Sequence, residues 1–183
     1  QMSEKQILET IEDYAHTASI AKKAGYDGVE IMGSEGYLIN EFIAARTNHR
    51  DDEWGGSYEN RSRLLREVLT AVRERVGADF PIWVRIDAEE MHTPGGITMD
   101  EALKTAKLCE ELGMDAINVS AYARLPTGSA FTDAPIPQKQ NAYREFATGI
   151  KKAVGIPIIS AGRWELDAAA AAISHGEIDF VAM

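Results

Sequence analysis

Cysteine is almost missing from this sequence. Cys109 is the single one in 183 residues, so no internal disulfide can close and no cysteine-rich metal or iron-sulfur site can be assembled within it. Histidine is scarce as well. His16, His49, His92 and His175 are scattered along the chain, and no Cys-x-x-Cys or Ser-His-Asp arrangement accompanies them, so metal and triad chemistry have no support. Long apolar runs are also lacking. The longest, such as Ala168 to Ile173, fall far short of the roughly 18 residues that a membrane helix needs, and no hydrophobic secretion signal is visible. A soluble, cytoplasmic protein is expected. Basic charge is the last shortage. With 29 acids against 19 bases the formal charge is −10, a field that repels phosphate backbones and anionic lipid. Nucleic acid and membranes are therefore not expected partners, although a local phosphate site built from backbone amides and one or two arginines would not register in that total.

What is present is the composition of a packed domain, 45% apolar and 26% charged, with a length suited to one domain or a piece of one. A pattern of helical segment, glycine and short branched run recurs five times. Ile7 to Lys23 leads to Val29-Glu30-Ile31-Met32, and Ser57 to Val76 leads to Ile82-Trp83-Val84-Arg85-Ile86. Met99 to Leu112 leads to Ala116-Ile117-Asn118-Val119, Tyr143 to Val154 leads to Ile156 to Ser160, and Leu166 to Ser174 leads to Phe180-Val181-Ala182-Met183. Short apolar runs alternating with helices mark parallel strands buried on both faces. Two architectures are then open, a doubly wound sheet and a closed eight-fold barrel. Because the chain opens on a helix and stops inside a strand, a barrel needs about three further strands. The expectation is α/β, a partial (β/α)8 TIM barrel, with an intact five-stranded sheet as the alternative.

In either architecture ligands gather at the carboxyl ends of the strands. Met32 to Tyr37 follow the first strand, Arg85 and Asp87 lie at the end of the second, and Ser120, Tyr122 and Arg124 follow the third. Ala161-Gly162-Arg163 follow the fourth, just before a helix. That last arrangement suits a phosphate through close backbone approach and free helix amides, and it equally suits a tight turn. An arginine inside a hydrophobic strand is costly unless it pairs, so Arg85 either meets an anionic or acceptor-rich ligand or forms a salt bridge to Asp87 or Glu35. Tyr37 can serve as a proton donor or as packing, and Glu35 as a charge at the site or as a solvated carboxylate. In the loop of residues 46–63, Ser57 can cap the following helix and the Asp and Arg alternation can lock the loop by ion pairs. Arg46, nearest the strand ends, is its candidate contact for an anionic ligand.

The run Gly25-Tyr26-Asp27-Gly28-Val29-Glu30-Ile31-Met32-Gly33-Ser34-Glu35-Gly36-Tyr37-Leu38-Ile39-Asn40-Glu41-Phe42 is followed by Arg46-Thr47-Asn48-x-Arg50 and by Trp54-Gly55-Gly56-Ser57-x-Glu59-Asn60-Arg61-x-Arg63. Together these resemble the old yellow enzyme family, NADH:flavin oxidoreductases, and within it the flavin domain of 2,4-dienoyl-CoA reductases. The resemblance covers essentially the whole chain. It implies a barrel that binds FMN and uses NAD(P)H, with residues 1–183 as the C-terminal larger part of the domain, covering about strands 4 to 8. It implies that Arg85 sits beside the flavin ring and that Gly162 and Arg163 hold the FMN phosphate. Tyr37 matches the tyrosine that protonates the substrate, and Arg46 the residue that meets an acyl-CoA, with Glu35 and Tyr122 also facing substrate.

Many old yellow enzymes place a histidine and a second histidine or asparagine where this chain has Met32 and Glu35. That departure points toward reduction of a carbon-carbon double bond conjugated to an acyl-CoA thioester rather than of a simple enone. The branch's catalytic histidine after the sixth strand is also missing, with Ala121-Tyr122-Ala123-Arg124 in its place. An iron-sulfur cluster is expected only in a C-terminal segment beyond this stretch. The alternatives are a flavin-dependent amine dehydrogenase of the same family and a catalytically inactive barrel fragment. The expected partner is a small-molecule substrate, with a homo-oligomer left open.

Overall fold

The computed structural model describes residues 1–124, 130–131 and 140–182, with the side chains of 123, 124, 130 and 131 set aside. Arg124, named above at the end of a strand, and Met183 therefore lie outside the described side chains. In chain order the elements are α1 (Glu4–Lys23), β1 (Val29–Gly33), α2 (Leu38–Ile43), α3 (Tyr58–Arg61) and α4 (Arg63–Val76). They continue with β2 (Ile82–Met91), α5 (Met99–Glu111), β3 (Ala116–Arg124), β4 (Ala130–Phe131), α6 (Arg144–Lys151), β5 (Ile158–Ser160), α7 (Leu166–Ser174) and β6 (Phe180–Val181).

Local chemistry explains the helix starts. Ser3 caps α1 and Thr98 caps α5, each with a reciprocal partner three residues on, Gln6 and Glu101. These capping boxes satisfy orphan amides that open every helix. Ser57 accepts from the Asn60 amide and so caps α3, as expected from sequence. The expected single helix from Ser57 to Val76 is instead two, divided at Ser62. Along α4 the buried residues Leu64, Leu65, Val68, Leu69, Val72 and Val76 form one apolar stripe at helical spacing, which packs on the sheet and on α1.

The strand order β1-β2-β3-β5-β6, all parallel between neighbours, decides between the two architectures. A doubly wound sheet reverses its strand order at a switch point, whereas a barrel adds each strand beside the last. Here every parallel strand lies next to its predecessor. β4 is a short antiparallel addition to β3. Alternate strand residues Ile31, Val84, Ile86, Ile117, Val119 and Ile158 are buried at 4% exposure or less, forming the face under the helices. On the opposite face the register aligns Glu30 with Trp83, Met32 with Arg85, Arg85 with Asn118, and Asp87 with Ser120. That polar face is the inner wall of a barrel segment.

β2 and β3 each run five residues past the ends expected from their branched cores. The ladder survives a register shift between Asp87 and Glu90 and resumes at Glu90 and Tyr122. Bulges of this kind bend a strand and re-aim side chains near sites. Among the described residues no helix is long and apolar enough to cross a membrane, and no cluster of histidine, cysteine and acids is placed to hold a metal. Cys109 is fully buried on α5, and burial pushes its thiol up to about 12.

Candidate active site

The inner wall is organised by two carboxylates around one guanidinium. Glu30 on β1 accepts from Trp83 Nε1 at 2.7 Å, from Arg85 Nε at 3.0 Å and from Asn118 Nδ2 at 2.7 Å. One acid thus ties three adjacent strands together. Above it, Glu35 Oε1 accepts from Arg85 Nη1 at 3.1 Å and from Ser120 Oγ at 2.9 Å. Burial works against the charge on Arg85, but Glu30 and Glu35 outweigh it and hold the guanidinium above its usual pKa. Arg85 is therefore a fixed cation at neutral pH, and two of its five N–H donors are used by these contacts. The salt bridge anticipated for it forms with Glu35 and with the unanticipated Glu30. The suggested Asp87 partner is a correction: Asp87 sits on the same face but bonds instead to the Glu35 amide at 2.7 Å and to Asn40 Nδ2 at 3.2 Å.

The loop between β1 and α2 carries Glu35, Gly36 and Tyr37 across the strand ends. Glu35 turns inward to Arg85, while Tyr37 occupies the N-cap position of α2 with its side chain largely exposed. Tyr122 rises from β3 beneath this loop. A methyl group built on Gly36 would meet the Tyr122 ring at 3.7 Å, so the ring lies close below the loop. The Arg46 guanidinium lies 5.6 Å from the centre of the same ring, a cation–π distance. Glu35, Tyr122 and Arg46 thus lie about one mouth, with Tyr37 exposed on the loop next to it.

Arg46 is committed more fully than its sequence suggests. Its Nε and Nη2 donate to the two oxygens of Glu90, each at 2.7 Å. Glu90 is 3% exposed, and its hydrogen bond and charge raise the Arg46 pKa against the cost of burial. The forked geometry leaves Arg46 oriented but locally neutralised. Beside it, residues 92–98 and Glu90 line a cavity of about 670 Å³, within the range that holds small-molecule ligands.

Gly162 and Arg163 stand after β5, on the far side of β3 from Arg85. Gly162 has φ +108° and is buried against the Tyr143 ring, which a methyl group there would meet at 3.1 Å, so any side chain at this position is strained. Arg163 is exposed, and α7 begins three residues later with acidic Glu165 at its N-cap and no side-chain cap bond. Apart from Arg46, the arginines of residues 46–63 are tied into the local ion pairs expected of a scaffold. Arg50 forks onto Asp52, Arg63 meets Glu53, and buried Arg61 bonds Glu101, the Gly56 carbonyl and the Ile43 carbonyl.

A parallel sheet wound in barrel order, with a clamped arginine on its inner wall and an acid and a tyrosine on the loop at its carboxyl end, defines a segment of an α/β barrel. Residues 1–183 match the model of the NADH:flavin oxidoreductase / NADH oxidase family, and the chain belongs to that family, which includes the old yellow enzymes. A metal reductase of Desulforamulus reducens is 38% identical over 189 residues, covering 100% of this chain and 27% of that protein. A solved 2-naphthoyl-CoA reductase in complex with 2-naphthoyl-CoA superposes with a TM-score of 0.90 at 32% identity, covering 99% of this chain and 27% of that one. An old yellow enzyme homologue from Zymomonas mobilis superposes with a TM-score of 0.77 at 28% identity, over 100% of this chain and 49% of that one. The chain thus spans between about a quarter and a half of the length of these relatives, and its sheet corresponds to part of their TIM barrel.

Proposed function

We propose that residues 1–183 form the C-terminal larger part of an FMN-binding barrel domain whose enzyme reduces a carbon-carbon double bond conjugated to a carbonyl or acyl-CoA thioester, with NAD(P)H as electron donor. The observation that carries this reading is Arg85, a cation held on the inner wall of the sheet by Glu30 and Glu35. Glu30 and Glu35 offset the cost of placing a guanidinium there and use two of its five N–H donors, and its remaining donors suit the acceptor edge of a flavin ring. Gly162, Arg163 and the amides opening α7 would hold the FMN phosphate, since glycine permits close approach and helix amides favour an anion. When bound, FMN supplies hydride transfer between nicotinamide and substrate.

The chain's own residues handle the substrate and its proton. Tyr37, exposed at the strand ends, donates the phenolic proton to the substrate carbon that does not receive hydride. Tyr122 packs the floor of the mouth, and Glu35 fixes Arg85 from above. Arg46, oriented by Glu90, meets the polar end of an acyl group. The 2-naphthoyl-CoA bound to the structural neighbour supports a thioester substrate for this branch.

The deciding experiment is anaerobic stopped-flow on the flavin-loaded protein. Arg85→Met should release or weaken FMN. Tyr37→Phe should leave flavin bleaching by NADH unchanged and slow reoxidation by an enoyl-CoA about a hundredfold, the range typical of general acids. Equal slowing of both half-reactions would overturn the role of Tyr37, and absence of any flavin band in the wild type would overturn the reading as a whole.

A further inference from the structure

Asp87 has no part in the chemistry above, yet the fold has built a site around it. It is 2% exposed, two residues beyond Arg85 on the inner face of β2. Its Oδ2 accepts from the backbone amide of Glu35 at 2.7 Å and from Asn40 Nδ2 at 3.2 Å, and Asn40 Oδ1 in turn accepts from the Gly36 amide at 2.8 Å. Two side chains from different elements, β2 and α2, thereby take consecutive amides immediately before Tyr37. The backbone they hold is unusual. Glu35 has φ +66° and Gly36 φ +76°, and a non-glycine residue keeps a left-handed conformation only where its surroundings enforce it.

We propose that Asp87 is a positioning residue for proton delivery: with Asn40 it clamps the Glu35–Gly36 backbone and so fixes where Tyr37 and the Glu35 carboxylate stand relative to Arg85. This rests on the donor role proposed for Tyr37. The second oxygen, Oδ1, is buried and has no hydrogen-bond partner among the described residues. Burial raises the Asp87 pKa, the Glu35 amide opposes it, and Glu35 and Glu90 add to it against Arg46, for a value of about 8. Burial thus favours the neutral carboxylic acid over the carboxylate around neutral pH. The charged groups acting on it are Glu35 on the loop, Glu90 on its own strand and Arg46 beyond α2; Arg85 lies two residues before it on the strand, and β3 places the neutral Ser120 opposite. Ionisation therefore adds a negative charge beside the loop, which makes departure of a proton from Tyr37 harder.

The test uses the flavin-loaded protein, with NADH for the reductive half-reaction and crotonyl-CoA for the oxidative one, together with amide hydrogen exchange at Glu35 and Gly36. Asp87→Asn keeps the acceptor and cannot ionise. It should retain protection of both amides, match the wild-type oxidative rate at pH 7 within about twofold, and lack the wild-type downturn above about pH 8. Asp87→Ala should lose protection at Glu35 and slow the oxidative half-reaction about tenfold, because misplaced donors cost that much or more, with flavin reduction unchanged. If Asp87→Ala does not fold, Asn40→Ala reads the same clamp through the Gly36 amide. Full protection in Asp87→Ala, equal slowing of both half-reactions, or a persisting downturn in Asp87→Asn would each overturn the proposal. A Tyr37→Phe protein that reoxidises at full rate removes the donor role, and delivery with it, while the exchange data still decide the clamp.

Discussion

Glu30 carries a charge through the middle of Val29-Glu30-Ile31 because three donors converge on it. Removing one partner of a partly buried, hydrogen-bonded cluster leaves the others unsatisfied. Glu30→Ala should therefore loosen Arg85 and weaken FMN binding about tenfold or more, measured by quenching of flavin fluorescence on titration. Unchanged affinity would mean that Glu35 alone orients the guanidinium. The sign of the Asp87 effect on stability also follows at this scale. Its folded pKa of about 8 lies above the unfolded value near 3.9, so its contribution is fully present below about pH 4 and is lost as pH rises through about 8. The melting temperature of the wild type should fall over that window relative to Asp87→Asn; parallel curves would refute the shift. The reasoning that makes Arg85 conspicuous in a sequence applies equally to Glu30, a lone acid in a branched run. What sequence lacks is the register that sets Glu30 opposite Trp83 and Arg85 opposite Asn118, so the pairing could be suspected but not assigned.

Elements tell a similar story. The five branched runs announce five parallel strands because fully buried strands need uninterrupted apolar residues. The second halves of β2 and β3 are silent in sequence: Asp87 to Met91 are mostly acidic, and their pairing rests on backbone ladders and on the bulge. The six-residue α2 is short enough to read as loop, although Leu38, Ile39, Phe42 and Ile43 have helical spacing. Two substitutions probe these junctions. Arg61, which ends α3, is buried between the Ile43 carbonyl and Glu101 of α5, so Arg61→Ala should cost about 3–5 kcal/mol, the usual result of breaking a buried pair, read from the urea midpoint. A methyl group on Gly96 would fall 2.6 Å from Glu90 Cβ and Oε2. Gly96→Ala should displace Glu90 from Arg46 and destabilise the fold by about 1–3 kcal/mol, with a larger effect on KM for an acyl-CoA than on flavin reduction. A neutral result in the same urea titration would show that the residue 92–98 loop yields.

At the scale of the whole molecule, the order of strands carries the assignment that composition could not. A charge of −10 repels polyanions at long range, yet it leaves room for the phosphate site proposed at Gly162 and Arg163, where backbone amides act over short range. The opposing signs make a kinetic prediction. The acidic field should repel free FMN, so its association rate should rise about two- to tenfold as added salt shortens the screening length from about 30 Å to 8 Å. A rate that falls with salt would instead reveal basic steering. Glu30 has one more consequence, which reaches across three strands. Because Trp83 Nε1 and Arg85 Nε share its carboxylate, the indole is wired to the same charge that is proposed to meet the flavin. The emission of Trp83 should shift when that charge is engaged, giving the barrel wall a built-in optical gauge of occupancy that needs no label and no turnover.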